Sequence, residues 1–134
     1  MSYVLDACAL IAFFRREVGG EVVRDILMDA RPKVAIHAIN MYEVYYDLDR
    51  TEGIEAANRS LVVAVEVGIE IREDMDPTFW KVAGQLKSRI KKISVADSFA
   101  IALTNRLDAT LVTSDHAEFD KIAERNICKI LFIR

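Results

Sequence analysis

Four acids stand apart in this chain: Asp6, Glu43, Asp97 and Asp115. None belongs to a charged run. Asp6 closes the apolar opening Tyr3-Val4-Leu5, and Asp115 follows Leu111-Val112-Thr113-Ser114. Glu43 falls in the first turn or so of a helix, within Asn40-Met41-Tyr42-Glu43-Val44. Asp97 falls in the first turn of a helix that begins near Ser94. Taken singly, each has an ordinary structural use. Ser94 to Asp97 and Asn40 to Glu43 have capping-box spacing, Asp115 suits an N-cap with Glu118 three residues on, and Asp6 suits an Asx-turn. Taken together they pose a different problem. Carboxylates gathered in one place repel by roughly 1 kcal/mol per close pair in water, and by more when partly buried. Helix N-termini offset part of that. A hard divalent cation, Mg²⁺ or Mn²⁺, takes carboxylate oxygens and retained waters and offsets the rest. Capping and metal binding do not compete, because a carboxylate has two oxygens.

Whether the acids gather depends on the elements that carry them. Short runs rich in Val, Ile and Leu predict strands at Tyr3–Asp6, Lys33–His37, Gly68–Ile71, Ala109–Thr113 and Lys129–Ile133. Helical patterns fill the intervals: Leu10–Phe14 with Glu21–Ala30, Ile39–Arg50 with Ile54–Val67, Pro77–Lys91, a helix from Ser94, and Ala117–Arg125. Pro77 suits the first turn of its helix. In the helix from Ser94, Val95, Phe99, Leu103 and Leu107 recur at i, i+4 and predict one buried stripe. Strands alternating with helices predict an α/β fold with a parallel five-stranded sheet flanked by helices on both faces. The functional crevice of such a sheet lies beyond the carboxyl ends of its strands, and all four acids fall at that end.

Composition narrows the function classes. The 134 residues, 52% hydrophobic and 29% charged, make one globular domain over residues 1–134. No apolar run reaches the roughly 20 residues of a membrane span. The start lacks a basic leader and meets Asp6 at once. Two cysteines, Cys8 and Cys128, lie in apolar segments, which points to reduced thiols and a cytoplasmic home. A net charge of −3 argues against nonspecific duplex-DNA binding. It does not argue against a nuclease with an acidic metal site. His37 and His116 lack zinc spacing, and neither a P-loop nor a G-x-S-x-G elbow is present.

With these motifs in this order, the chain resembles the PIN domains, and at this size the standalone toxin nucleases of VapC type. The resemblance spans essentially the whole chain. It rests on Val4-Leu5-Asp6, on Glu43 in its helix, on Ser94-Val95-Ala96-Asp97-Ser98-Phe99-Ala100, and on Leu111-Val112-Thr113-Ser114-Asp115 with Phe119 beyond. It implies that the first and fourth strands are neighbours, which places Asp6 beside Asp115. It implies metal-dependent hydrolysis of RNA phosphodiesters to 5′-phosphate and 3′-hydroxyl ends. Asp6, Asp97 and Asp115 are then direct or water-mediated ligands of Mg²⁺ or Mn²⁺. Glu43 is a ligand or orients the attacking water. It implies a small antitoxin partner whose peptide enters the acidic crevice. An RNA-processing nuclease without antitoxin and a non-catalytic binding module on the same fold remain the alternatives. One departure is visible: Ala7-Cys8 stand where the family often has hydroxyl or amide residues.

Other features divide between packing and contact. Lys87, Arg89, Lys91 and Lys92 read either as a solvated helix end or as a phosphate track leading to the site. Arg15 and Arg16 invite the same two readings, less well placed. Thr113 and Ser114 read as supports for the acids or as loop caps. Tyr42, Tyr45 and Tyr46 flank Glu43 and read first as helix packing. Phe79 and Trp80 are adjacent on a helix, so both cannot face the core, and one is available for a homodimer contact. A receiver-type phosphotransfer domain is a poor fit, since Asp6 stands alone and no lysine follows the last strand.

Overall fold

The computed structural model describes residues 1–134. Five parallel strands, β1 (Ser2–Leu5), β2 (Lys33–His37), β3 (Ile69–Arg72), β4 (Thr110–Thr113) and β5 (Lys129–Phe132), form one sheet in the order β3-β2-β1-β4-β5. Leu5 pairs with Ile36 on one side and Val112 on the other, so β1 is central and neighbours β4. Strand order reverses at β1, so a crevice opens between the carboxyl ends of β1 and β4.

Alternation along the central strands feeds two cores. Leu5 and Val112 face one layer, with α1 (Ala7–Arg15), α2 (Gly20–Met28), α3 (Ala38–Glu52) and α4 (Ile54–Glu66) around it. Val4 and Leu111 face the other, with α5 (Pro77–Arg89), α6 (Val95–Arg106) and α7 (His116–Glu124). Helices therefore cover both faces, as the pattern of short apolar strands requires. Gly20 lets α2 meet α1 closely: a Cβ there would lie 2.4 Å from the Ala12 carbonyl oxygen.

Two helices differ from the expectation in ways that matter for the site. The first begins at Ala7, three residues before the expected Leu10, because Asp6 caps it. The expected stripe on α6 turns inward at Phe99, Leu103 and Leu107, but the buried surface is wider than that stripe and leaves out Val95. Val95 is exposed, while Ala96, Ala100, Ile101, Ala102 and Leu103 are buried. A helix apolar nearly all round sits inside the molecule, and small residues let α5 and the sheet approach it closely. This central placement carries Asp97 into the crevice. Phe79 is buried and Trp80 exposed, as their adjacency demanded.

Candidate functional site

All four sequence-identified acids line one cleft of about 240 Å³, together with Ala7, Cys8, Asn40, Ser94 and Glu118. A larger concavity, about 620 Å³, lies elsewhere, against Phe13, Phe14 and Val63 with arginines and glutamates at its edge. It lacks the convergence of one charge type that marks the smaller cleft.

The local chain explains each placement. Asp6 is the N-cap of α1, and its Oδ1 accepts from the Ala9 N–H at 2.9 Å. Its Oδ2 accepts from the Thr113 hydroxyl at 2.5 Å. Thr113 Oγ1 also accepts from the Asp115 N–H at 3.0 Å, so one buried threonine ties the first acid to the last. Ser114 makes no such bond, and the supporting role read for that pair belongs to Thr113 alone. Asp115 caps α7 by accepting from the Glu118 N–H. Asp97 closes a full capping box with Ser94, each side chain meeting the other's N–H. Capping and cleft position coincide in these three acids.

Glu43 is different. The Asn40–Glu43 capping box does not form, because α3 starts earlier and His37 caps it through Nδ1, accepting from the Ile39 N–H at 3.0 Å. Asn40 is then inside the helix and buried. Glu43 is left in the second turn with no capping duty and its carboxyl at the cleft.

The sequence reading missed one acid. Glu118 looked like the second half of a capping box. The Asp115 N–H that its side chain would accept from is already held by Thr113, so the Glu118 carboxyl turns to the cleft. Across the whole chain, two buried side-chain atoms lack a hydrogen-bond partner: Glu118 Oε2 and Asn40 Nδ2. Both residues line this cleft. Buried polar atoms without partners are uncommon and call for an explanation, and a bound ligand is one.

The electrostatics agree. Burial pushes the Asp6 carboxyl up to about 7, against the opposing bonds from Thr113 and Ala9, with Asp97 and Asp115 adding repulsion. Glu43 is raised by burial and by Asp97. Asp97 is raised by burial and by Asp115, with Ser94 and Lys121 pulling the other way. Lys121 approaches Glu118 Oε2 no closer than 4.0 Å. Cys8 is exposed as a residue, yet desolvation of its thiol and then the four acids push it to about 12. With no counter-charge beside it, it is a neutral thiol at ordinary pH. Cys128 is also a free thiol.

The donor set fits a hard divalent cation. It is all carboxylate oxygen, with lone pairs left over after capping and one oxygen unpartnered. As they stand, no three of these side chains converge closely enough to hold an ion between them. Asp6 and Asp97 are fixed by their hydrogen bonds, while Glu43 makes no capping bond.

Neighbouring features resolve as packing. His37 is buried, stacks on Phe79 at 5.3 Å between ring centroids, and reaches the Asp74 carbonyl at 2.9 Å through Nε2. His116 bonds Asp120 and the Arg134 carbonyl. Arg15 pairs with Asp47 and Glu52, which removes it from any phosphate track. Tyr45 bonds Asn58, while Tyr42 and Tyr46 are exposed and lie against each other at 5.3 Å. No helix is long and apolar enough to cross a membrane.

The family model for the PIN domain matches residues 3–125. No curated protein sequence matches the chain. Among solved structures, VapBC2 of Rickettsia felis, bound to a promoter DNA fragment, superposes with a TM-score of 0.76 at 20% identity, covering 98% of each chain. VapBC-1 of nontypeable Haemophilus influenzae gives 0.71 at 19% identity over 99% of this chain and 98% of its own. A VapC toxin of Mycobacterium tuberculosis that cleaves the sarcin–ricin loop gives 0.71 at 13% identity, over 90% and 95%. These likenesses show the fold.

Proposed function

We propose, from the premise that this chain belongs to the PIN-domain family, that it is a metal-dependent endoribonuclease and the toxin of a toxin–antitoxin pair. One observation carries the chemistry. Five carboxylates line one cleft, and both of the chain's orphaned buried side-chain atoms belong to residues of that cleft. Asp6, Glu43, Asp97 and Asp115, joined by Glu118, hold Mg²⁺ or Mn²⁺. When bound, such a cation supplies positive charge against the phosphoryl oxygens and makes water a stronger nucleophile.

The remaining work falls to the chain. Thr113 and the Ala9 N–H fix both oxygens of Asp6, and Ser94 fixes Asp97, so two carboxylates are oriented before substrate arrives. Glu43, without capping bonds, is free either to join the ligand set or to orient the attacking water. Attack of water on phosphorus forms a new P–O bond as the P–O3′ bond breaks, and the departing 3′ oxygen takes up a proton, which leaves 5′-phosphate and 3′-hydroxyl ends.

The likeness to VapBC assemblies supports an antitoxin that silences the cleft with a peptide, its cation meeting the acids. Exposed Trp80 supports a homodimer contact. An RNA target places the action in the cytoplasm. The test is cleavage of a labelled RNA panel by purified protein with Mg²⁺, Mn²⁺ or EDTA. Cleavage with either metal and none in EDTA supports the reading. Cleavage unaffected by EDTA contradicts it. Loss of cleavage on adding the product of a short neighbouring gene would establish the antitoxin.

A further inference from the structure

Most arginines of this chain are committed to acids. Arg15, Arg24, Arg31, Arg50, Arg72 and Arg106 all form ion pairs. Arg16, Arg59, Arg125 and Arg134 are single unpaired cations, whereas the turn between α5 and α6 gathers three basic residues. Arg89, Lys91 and Lys92 are exposed there. They enter none of the ion pairs. A favourable end for the α5 dipole accounts for Arg89, in the last turn. It does not account for Lys91 and Lys92, which lie past the helix.

The same turn is fixed from several sides. Ile90 and Ile93 are buried in the core under α5 and α6. Lys87 Nζ donates to the Ile93 carbonyl at 2.8 Å. Lys121, reaching across from α7, donates to the Lys91 carbonyl at 2.6 Å and the Lys92 carbonyl at 3.3 Å. Lys92 holds φ at 62°, a conformation a lysine keeps only where its surroundings enforce it. Two ammonium groups thus hold the backbone oxygens of the turn while two lysine side chains stay in solvent. Two residues further on, Ser94 lines the acidic cleft.

We infer that this turn is a preorganised ledge for the phosphodiester backbone of single-stranded RNA, with Arg89, Lys91 and Lys92 as contacts and Lys87 and Lys121 as pins. The inference rests on the nuclease reading for the identity of the polyanion. Contacts to phosphate position a strand without reading its bases. A turn already ordered loses little entropy on binding, so its cations act at full strength. The ledge therefore sets affinity and approach, and the cleft sets chemistry. Lys87, expected as part of the track, works as a support.

The experiment is an anisotropy titration of a labelled single-stranded RNA in EDTA at several salt concentrations. It compares wild type with Lys91→Gln/Lys92→Gln and with Lys33→Gln/Lys129→Gln. The second pair removes equal charge at the amino ends of β2 and β5, opposite the cleft. Each lost phosphate contact lowers the log–log salt slope by about 0.7, so the ledge pair lowers it by about 1.4 and the control pair leaves it unchanged. Lys121→Gln weakens RNA binding as well, and Lys121→Arg, which still donates to two carbonyls, restores it. Equal slopes in both double variants overturn the ledge. So does unchanged RNA binding with loss of binding to an acidic peptide, which would assign the turn to a protein partner. A lowered slope in a protein that never cleaves RNA leaves the ledge standing and removes the nuclease reading. Normal cleavage with unchanged KM in the ledge pair does the reverse.

Discussion

Two groups of aspartates in this molecule live under opposite conditions. Asp74 meets Arg72 through both oxygens, at 2.8 and 3.0 Å, and Arg106 at 2.9 Å. Those guanidiniums hold its carboxyl well below the usual range. Asp76 takes the other edge of Arg106, which also lies 5.2 Å from the Phe79 ring centre. The group fastens the β3–α5 connection to α6 and is complete as it stands. Asp6 is held by a hydroxyl and an N–H and by no cation, and burial drives it up to about 7. Its neighbours are further acids and two orphaned atoms. What separates a binding site from a structural staple is therefore the supply of cations within reach, since acids are present in both.

Substitutions should separate the two groups by phenotype. Asp6→Asn and Asp97→Asn keep shape and remove charge, and each lowers RNA cleavage by at least about 100-fold with an unchanged circular dichroism spectrum. Robust activity in either variant contradicts the assignment. Asp74→Ala does the opposite: it costs about 1–3 kcal/mol in urea unfolding, because it deletes charged hydrogen bonds, and leaves cleavage per folded molecule unchanged. Loss of activity without loss of stability would place that cluster in the site after all. Thr113→Val removes the link between Asp6 and the Asp115 backbone and lowers activity or metal affinity by about 10–100-fold. Wild-type metal affinity in that variant would show that the bridge orients nothing.

The pH dependence of stability gives a smaller effect that runs in opposite directions. Asp6 keeps its proton up to about 7 when folded and releases it near 3.8 when unfolded. Its contribution is full below the lower value and is lost as pH rises through the higher one. Glu43 and Asp97 act in the same direction. Asp74 behaves inversely: its contribution is full above the usual carboxylate range and is lost as pH falls below it. The metal-free protein should lose stability on both sides of about pH 4, through different residues. Asp6→Asn flattens the decline between about pH 4 and 7, and Asp74→Ala flattens the one on the acid side. Thermal melts across pH measure both, and an alkaline slope unchanged by Asp6→Asn would remove Asp6 as its source.

Much of this was legible in the sequence because the physics is local. β-branched and leucine-rich runs bounded by turns located all five strands, and helix-start spacing located Asp97 and Asp115. The family resemblance supplied the neighbouring of β1 and β4. What escaped depends on competition for backbone N–H groups and on how the elements pack. Glu118 was misread because its capping partner, the Asp115 N–H, is taken by Thr113, two residues earlier. The Asn40 box failed because His37, an unusual cap, started α3 sooner. The buried surface of α6 is wider than its leucine and phenylalanine spacing because alanines on a central helix pack on several sides at once. The pins from Lys87 and Lys121 onto carbonyls leave no sequence pattern at all.

The most direct measurement is calorimetric titration of the purified protein with Mn²⁺ at pH 8, beside Asp6→Asn and Asp74→Ala. Binding by wild type and Asp74→Ala, lost in Asp6→Asn, with a rise in stability of about 2.7 kcal/mol at one hundred times the Kd, is the expected result. No binding by wild type, or equal binding by all three proteins, would contradict the carboxylate site at its foundation.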